Sequence, residues 1–269
     1  MKRKSTYKLI FLPVLFILLG SCQEVIEIDL NSASPALVGE GYMERDSTCY
    51  LELHYTRDYF QLEAAQPEGG ARVSISDGAG NSEQLIHEGS GIYRGENLRG
   101  MEEGEYSLEI EVDGQSYQGS SLLMEKPLIY KLGLEDFPFG NPQAIEDFPK
   151  MMNISFGKVS EQAIYLMLKL KLNGESLDEP FALATDEYSP SEDTLRYTTM
   201  VYPPPVEGDT LELEVYAIDK EAFYYYYQVS ENIMRGAMSS TPYNPPSNLG
   251  DDILGYFMAR SRADSTFVF

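Results

Sequence analysis

The sequence predicts a mainly β protein, with an N-terminal immunoglobulin- or fibronectin-like sandwich and a second antiparallel β-rich domain that carries one amphipathic helix at about residues 220–235. Two observations lead to this fold class. Apolar and polar residues alternate along most short segments of the chain, which is the period of a strand with one buried face. Glycine-containing turn pairs separate these segments, and such pairs join antiparallel neighbours in hairpins.

The chain opens with the features of a lipoprotein leader. A basic front is followed by an apolar stretch and then by small residues just before Cys22. This order is typical of a secretory signal and is too short for a membrane span; the cysteine makes it resemble the bacterial lipobox. We therefore expect residues 1–21 to be a signal peptide, Cys22 to be acylated, with palmitate for example, and residues 22–35 to form a tether. An ordinary signal with an incidental cysteine is the alternative.

Acylation would attach the mature chain to a membrane, because each buried methylene is worth roughly 0.8 kcal/mol. The protein has 43 Asp and Glu residues against 20 Lys and Arg, a formal net charge of −23, and removal of the leader would make it more negative. Such a surface repels polyanions, so nucleic-acid binding is not expected. Cys49 is the second of two cysteines. With Cys22 acylated no disulfide can form, and we expect Cys49 to be a buried, unreactive thiol.

We expect the first domain, the sandwich, at residues 36–125. Asp113-Gly114 joins two alternating segments, which is the strongest short-range signal for a hairpin. A glycine-rich turn at residues 77–81 separates another pair of segments. Short strands joined by such turns are typical of an immunoglobulin-like sandwich. The predicted strands are Thr48–Thr56, Ala71–Ser76, Ser82–His87, Glu105–Val112 and Gln115–Leu123.

A linker at residues 124–127 is expected to precede the second domain, at residues 128–269. Two longer alternating segments lie in it, Ala163–Leu172 and Thr210–Ile218. Each places leucines and other apolar side chains on one face and charged side chains on the other, as in strands with one buried face. Residues 135–150 and 186–208 hold many of the prolines and acids, and we expect them to form long loops.

The stretch DKEAFYYYYQVSENIMR at residues 219–235 predicts the helix. Its apolar residues fall within one arc at helical spacing, opposite a polar arc. Asp219 is the expected N-cap and Gly236 the expected C-terminal stop. Phe223, Tyr226 and Tyr227 are expected in the core. Tyr224 and Tyr225 fall on the polar side, where they either contact a partner or ligand or lie under a neighbouring loop.

Signals of catalysis are weak. The two histidines, His54 and His87, both lie in predicted strands. The sequence has no nucleophile elbow, P-loop or dinucleotide-binding glycine pattern, so we do not expect an enzyme or a cofactor beyond the covalent lipid. Asp251-Asp252 and Glu102-Glu103 offer oxygen ligands for calcium without the spacing of an EF-hand. The 20 tyrosines give some support to glycan binding.

The carboxy-terminal run NPPSNLGDDILGYF, at residues 244–257, resembles the end of a Bacteroidota outer-membrane lipoprotein family of unknown function, domain-of-unknown-function family 4249. The lipobox, the VGEG segment at residues 38–41, the strand starts GIY and GEY at residues 91–93 and 104–106, and the tyrosine-rich helix agree with this resemblance. Asp251-Asp252 stands where that family usually has small residues, so this loop is expected to differ in conformation.

The resemblance implies that the chain is an accessory lipoprotein of a TonB-dependent receptor, the kind of transporter beside which such proteins are commonly encoded. It assigns no catalytic residue. The loop that holds Asn248, Asp251 and Asp252 is either a structural lock or a docking contact for a partner or ligand. We expect an outer-membrane, lipid-anchored and cell-surface-exposed protein, since acidic residues follow Cys22. A stand-alone glycan- or calcium-binding lipoprotein is the alternative.

Overall fold

The structure is a computed structural model that describes residues 34–57, 64–138, 148–158, 162–177, 181–188, 194–235 and 243–269. The expected signal peptide, Cys22 and the helix stop at Gly236 lie outside these residues. The strands are β1 (Leu37–Glu44), β2 (Thr48–Tyr55), β3 (Arg72–Asp77), β4 (Ser82–Gln84), β5 (Ile86–Gly89), β6 (Ile92–Arg99), β7 (Glu105–Val112), β8 (Gln115–Leu122), β9 (Leu128–Asp136), β10 (Lys150–Gly157), β11 (Tyr165–Leu172), β12 (Glu175–Ser176), β13 (Ala182–Thr185), β14 (Thr194–Val201), β15 (Thr210–Ile218) and β16 (Ile253–Val268), and the helix is α1 (Lys220–Arg235).

The described strands form three sheets. A nine-stranded sheet has the order β12-β11-β15-β16-β1-β2-β6-β5, with β13 also paired to β11. A four-stranded sheet has the order β4-β3-β7-β8, and a three-stranded sheet the order β14-β10-β9. The prediction of a mainly β protein with sandwich packing and one helix is therefore confirmed for the described residues. The prediction of one loop over residues 186–208 is wrong, because β14 lies within it and pairs with β10.

Two hydrophobic clusters fill the space between the large sheet and the two smaller ones. In the first, Leu51 and Leu53 of β2 pack with Val73 and Ile75 of β3 and with other buried side chains. The second contains Phe156 of β10 together with the leucines of β11 and β15. Cys49 is fully buried in the first cluster, as expected, and burial raises the pKa of its thiol well above the usual range.

Strand β16 joins the two regions. Its first half pairs in parallel with β1, beginning with Leu37 opposite Ile253 and ending with Glu44 opposite Arg260. Residues 260–268 pair antiparallel with β15. Phe257 from its first half lies in the first cluster beside side chains of β2 and β3. The expected boundary at residues 124–127 therefore does not divide the large sheet, and Pro35–Phe269 forms one compact unit. The division of the chain into domains at residues 36–125 and 128–269 stays a prediction.

Arg260 lies where β16 changes its partner strand. Its guanidinium carbon is 3.6 Å from the ring centroid of Tyr42 and 4.4 Å from that of Tyr216, and its Nη2 is 2.7 Å from Glu44. Such cation–π contacts contribute about 0.5–2 kcal/mol each. They belong to a row of rings and cations that follows the strand order across the outer face of the large sheet: Lys169, Tyr216, Arg260, Tyr42, Tyr50 and Arg94.

Helix α1 is tied to the sheets through its N-cap. The Asp219 carboxylate accepts hydrogen bonds from the Ala222 amide (2.7 Å), the Leu122 amide (3.1 Å) and the Ser121 hydroxyl. The Ser121 oxygen in turn accepts the Ala259 amide of β16 at 2.7 Å. The expected N-cap is therefore confirmed, and the same carboxylate also connects the helix to β8 and, through Ser121, to β16.

We predict that Gly255→Ala destabilises the protein far more than Gly174→Ala. Both glycines have a positive φ, +91° and +82°, which costs an L-residue about 1–2 kcal/mol. A Cβ at residue 255 would also lie 2.1 Å from the Gly39 carbonyl oxygen, whereas a Cβ at residue 174 would have no atom of the described residues within 4 Å beyond its chain neighbours. Urea unfolding should therefore show a loss above about 3 kcal/mol for Gly255→Ala. Equal losses for the two variants would contradict the close approach of β1 and β16.

We also predict that Asp219→Asn gains stability relative to the wild type as the pH rises. Burial raises the pKa of Asp219 above its usual value, against the effect of its hydrogen bonds. The folded chain therefore holds this proton to a higher pH than the unfolded chain, whose aspartate titrates near 3.9. The wild type therefore loses stability as the pH rises from about 3.9 through the folded pKa.

The asparagine of the Asp219→Asn variant does not titrate, so the difference in unfolding free energy between the two proteins, measured in urea from pH 3.5 to 7.5, isolates this group. The variant also loses a carboxylate oxygen that accepts the Leu122 amide. This loss shifts the difference in unfolding free energy by the same amount at every pH. A difference that moves in favour of the wild type as pH rises would show that the hydrogen bonds outweigh the burial of the charge.

Candidate functional site

Helix α1 packs on the outer face of the large sheet, opposite the two smaller sheets. Ala222 and Phe223 are buried there against Tyr165, Met167 and other side chains of the sheet. Tyr225 lies on Tyr256, with ring centroids 4.5 Å apart, and burial raises the pKa of Tyr225 to about 12.

The inward arc of α1 is thus rotated from the expected one. Tyr226 packs inward as expected, with its ring edge-on to Phe181 at 5.4 Å. The expectation that Tyr227 belongs to the core is wrong, because 48% of this residue is exposed. At about 100° per residue, burying Tyr225 on Tyr256 turns Tyr227 to the opposite side, next to Tyr224.

The outward tyrosines line a groove between α1, β13 and β14, which we call the tyrosine groove. Its volume is about 810 Å³, within the range of about 300–1,000 Å³ that small-molecule sites occupy. Tyr188 is 81% exposed at this groove. The side chains that line it are mostly aromatic or apolar, with a few polar groups: Phe181, Ala182, Leu183, Ala184, Thr185, Tyr188, Leu195, Arg196, Tyr197, Phe223, Tyr224, Tyr227, Ser230 and Glu231.

A polar network lies at one side of the tyrosine groove. The Glu187 carboxylate accepts hydrogen bonds from the Tyr224 hydroxyl, at 2.6 Å, and from the Lys220 ammonium. The hydroxyl of Tyr188 lies 3.2 Å from that of Tyr224. The hydrogen bond from Lys220 lowers the pKa of Glu187, and the bond to Glu187 raises the pKas of Tyr224 and Lys220. Near neutral pH the groove therefore presents the neutral phenol of Tyr224 beside the ion pair of Lys220 with Glu187.

The local chain path explains how this network forms. Strand β13 pairs antiparallel with β11, with Thr185 opposite Tyr165, and Glu187 follows two residues later. Lys220 and Tyr224 lie on the first turns of α1, which packs over the same strands. The predicted strands do not include β13 and a predicted loop starts at residue 186, so neither Glu187 of the polar network nor Tyr188 of the groove is predicted. Tyr227 also lines the groove, whereas helical periodicity places it in the core.

The other predicted contact residues lie elsewhere. Of the five predicted contact residues, the tyrosine groove is lined only by Tyr224. Within the described part of the chain, the Asn248 side chain bonds to main-chain atoms: its amide donates to the carbonyl oxygens of Ser120 (3.0 Å) and Phe257 (2.8 Å), and its carbonyl oxygen accepts the Phe257 amide at 2.9 Å. These bonds give Asn248 the role of a structural lock between β8 and β16.

Asp251 and Asp252 are exposed in the turn before β16. Contact of a partner or ligand with Tyr225, Asn248, Asp251 or Asp252 stays a prediction. Among the described residues, no group of three or more His, Cys, Asp or Glu side chains could hold a metal ion, and calcium binding also stays a prediction. No helix in the described part of the chain is both long and apolar enough to span a membrane.

The chain belongs to the family described as Domain of unknown function (DUF4249), whose model matches residues 23–266. No curated protein matches the sequence. The crystal structure of a pullulanase complexed with maltotriose from Anoxybacillus sp. LM18-11 is 13% identical, with a TM-score of 0.21, and the match covers 66% of this chain and 24% of that one. The FN1–FN3 domains of chicken CNTN1 are 12% identical, with a TM-score of 0.21 and coverage of 69% and 61%. The chain thus spans less than two thirds of both, and at these scores neither likeness bears on activity.

Proposed function

We propose that this protein is a non-catalytic lipoprotein of the outer membrane that serves a TonB-dependent transporter as an accessory, capturing a ligand for it in the tyrosine groove. The order of basic, apolar and small residues before Cys22 supports the lipid anchor. The carboxy-terminal run at residues 244–257, with its resemblance to transporter-associated lipoproteins, supports the partner. The organism group and the transporter are part of this proposal.

The tyrosine groove is the observation that carries the ligand-capture role. Its volume of about 810 Å³ suits a small molecule or a short polymer segment, and its rings give contact area at a low cost in side-chain entropy. Tyr188 is 81% exposed and Tyr227 48%, so a ligand can reach both rings. The ion pair of Lys220 with Glu187 offers both a donor and an acceptor to a polar group of that ligand.

The anchor and the charge fit this role physically. A lipid on Cys22 confines the domain to the membrane surface, where a second binding event with a receptor in the same membrane benefits from a high effective concentration. The net charge of −23 repels anionic head groups, which keeps the domain in solution above the bilayer. A captured ligand would then be held close to the transporter.

A stand-alone glycan-binding lipoprotein is the second candidate function. The exposed ring of Tyr188, with 81% of the residue accessible, favours it, because a flat ring face at the surface can stack on a sugar. The two candidates differ in whether a transporter accompanies the protein, and they share the tyrosine groove.

To test the proposal, the tagged full-length protein is purified from detergent-solubilised outer membranes, and co-purified proteins are identified by mass spectrometry. We expect a TonB-dependent receptor in stoichiometric amount with the wild type, and loss of the membrane-bound pool with Cys22→Ser. The soluble domain is then titrated with glycans and with the receptor's transported ligand. Tyr188→Ala combined with Tyr227→Ala should weaken ligand binding by at least about tenfold, or 1.4 kcal/mol.

Tyr130→Ala is the matched control, since Tyr130 is 72% exposed on β9 and lies outside the groove. It should bind the ligand as the wild type does. Recovery of the lipoprotein without any receptor, together with glycan binding that the double variant abolishes, would replace the accessory role by the stand-alone one. Ligand binding that survives the double variant would remove the groove from the account.

A further inference from the structure

A second cavity lies apart from the tyrosine groove, where the connection between β8 and β9 passes the ends of β10, β11 and β15. Its volume is about 380 Å³. We call it the apolar pocket and define it by its floor, which consists of Leu123, Phe156, Leu166 and Ile218. Each of these four residues is at most 1% exposed.

The floor of the apolar pocket joins three hydrophobic clusters of the described residues. Leu123 is part of the first cluster, and Phe156 and Leu166 are part of the second. Ile218 is part of a third cluster, which lies between α1 and the large sheet and also contains Tyr165 and Phe223. Protein interiors are close-packed and leave few voids larger than one water molecule. The floor side chains offer water no polar partner, so an apolar group is the occupant that gains most by covering them.

The rim of the apolar pocket combines exposed leucines with charges. Leu122 and Leu128 are 44% and 55% exposed, which extends the apolar wall to the surface. Glu103, Glu125 and Lys126 also line the pocket, so the charged groups among its described lining residues are two carboxylates and one ammonium. Together with the net charge of −23, this excess of acid opposes an anionic ligand.

We propose that the apolar pocket binds a small amphiphile that has an alkyl or aromatic body and an uncharged polar end. The body lies over the buried floor, against the exposed leucines Leu122 and Leu128, and the polar end stays at the rim near Gln162. This site is independent of the proposed capture of a ligand by the tyrosine groove. The two cavities share no lining residue, although Tyr165 of the pocket contacts Phe223 of the groove, with ring centroids 5.4 Å apart.

The test is a fluorescence titration of the uncharged dye N-phenyl-1-naphthylamine with the chain from Gln23 to Phe269, which includes the whole compact unit Pro35–Phe269. We expect saturable binding of one dye per chain. Dodecanol should displace the dye, and dodecanoate at pH 8 should displace it at least about tenfold more weakly, because its carboxylate meets the acidic rim.

Two variants block the pocket in different ways. Ala163→Leu adds volume at a lining residue, and Leu128→Asp places a charge at an exposed rim residue, where it does not disturb the core. Each should weaken dye binding by at least about tenfold, while near-ultraviolet circular dichroism stays unchanged. Tyr227→Ala, in the tyrosine groove, is the control and should bind the dye as the wild type does.

Absence of saturable dye binding would overturn the proposal, and so would binding that neither Ala163→Leu nor Leu128→Asp weakens. A loss of dye binding in Tyr227→Ala would assign the dye to the tyrosine groove and would also overturn it. Equal displacement by dodecanoate and dodecanol would overturn the requirement for an uncharged end. None of these results depends on the transporter. The proposed function can therefore fail while the apolar pocket is confirmed, and the apolar pocket can fail while the proposed function is confirmed.

Discussion

The structure depends on the double pairing of β16. One strand of 16 residues pairs with β1 along its first half and with β15 along its second, so the sheet can be continuous only if this strand is in place. Arg260, at the change of partner, contacts Tyr42 and Tyr216 and pairs with Glu44, which couples the two halves through one side chain. Asn248 and Ser121 bind the same strand from the side of β8.

Both cavities follow from this arrangement. The large sheet has the two smaller sheets on one face and α1 on the other, so the three hydrophobic clusters approach each other near the ends of β10, β11 and β15. The apolar pocket lies where they meet, and the tyrosine groove lies on the far side of the Tyr165–Phe223 ring pair. Asp219 holds the helix at this place through Leu122 and Ser121. The position of the groove is therefore set by the same contacts that close the fold.

Local features of the fold could be predicted from the sequence, and contacts between distant segments could not. Alternation along residues 105–112 and the Asp113-Gly114 turn predict a hairpin that the structure has, since both signals lie within a few residues. Asp219 was predicted as an N-cap for the same reason. The parallel pairing of Gly39 with Gly255 joins residues more than 200 positions apart, and no local period encodes it. Helical periodicity wrongly predicts Tyr227 in the core, because it defines an apolar arc but not which edge of that arc meets the sheet.

The most direct test of the central role of β16 is hydrogen exchange of the chain from Gln23 to Phe269, followed by mass spectrometry over a series of urea concentrations. Amides of β2 and β7 in the first region and of β11 and β15 in the second should exchange through one shared opening with the same free energy and the same dependence on urea. Two separate openings, one for each region, with β16 protected in only one of them, would contradict the account.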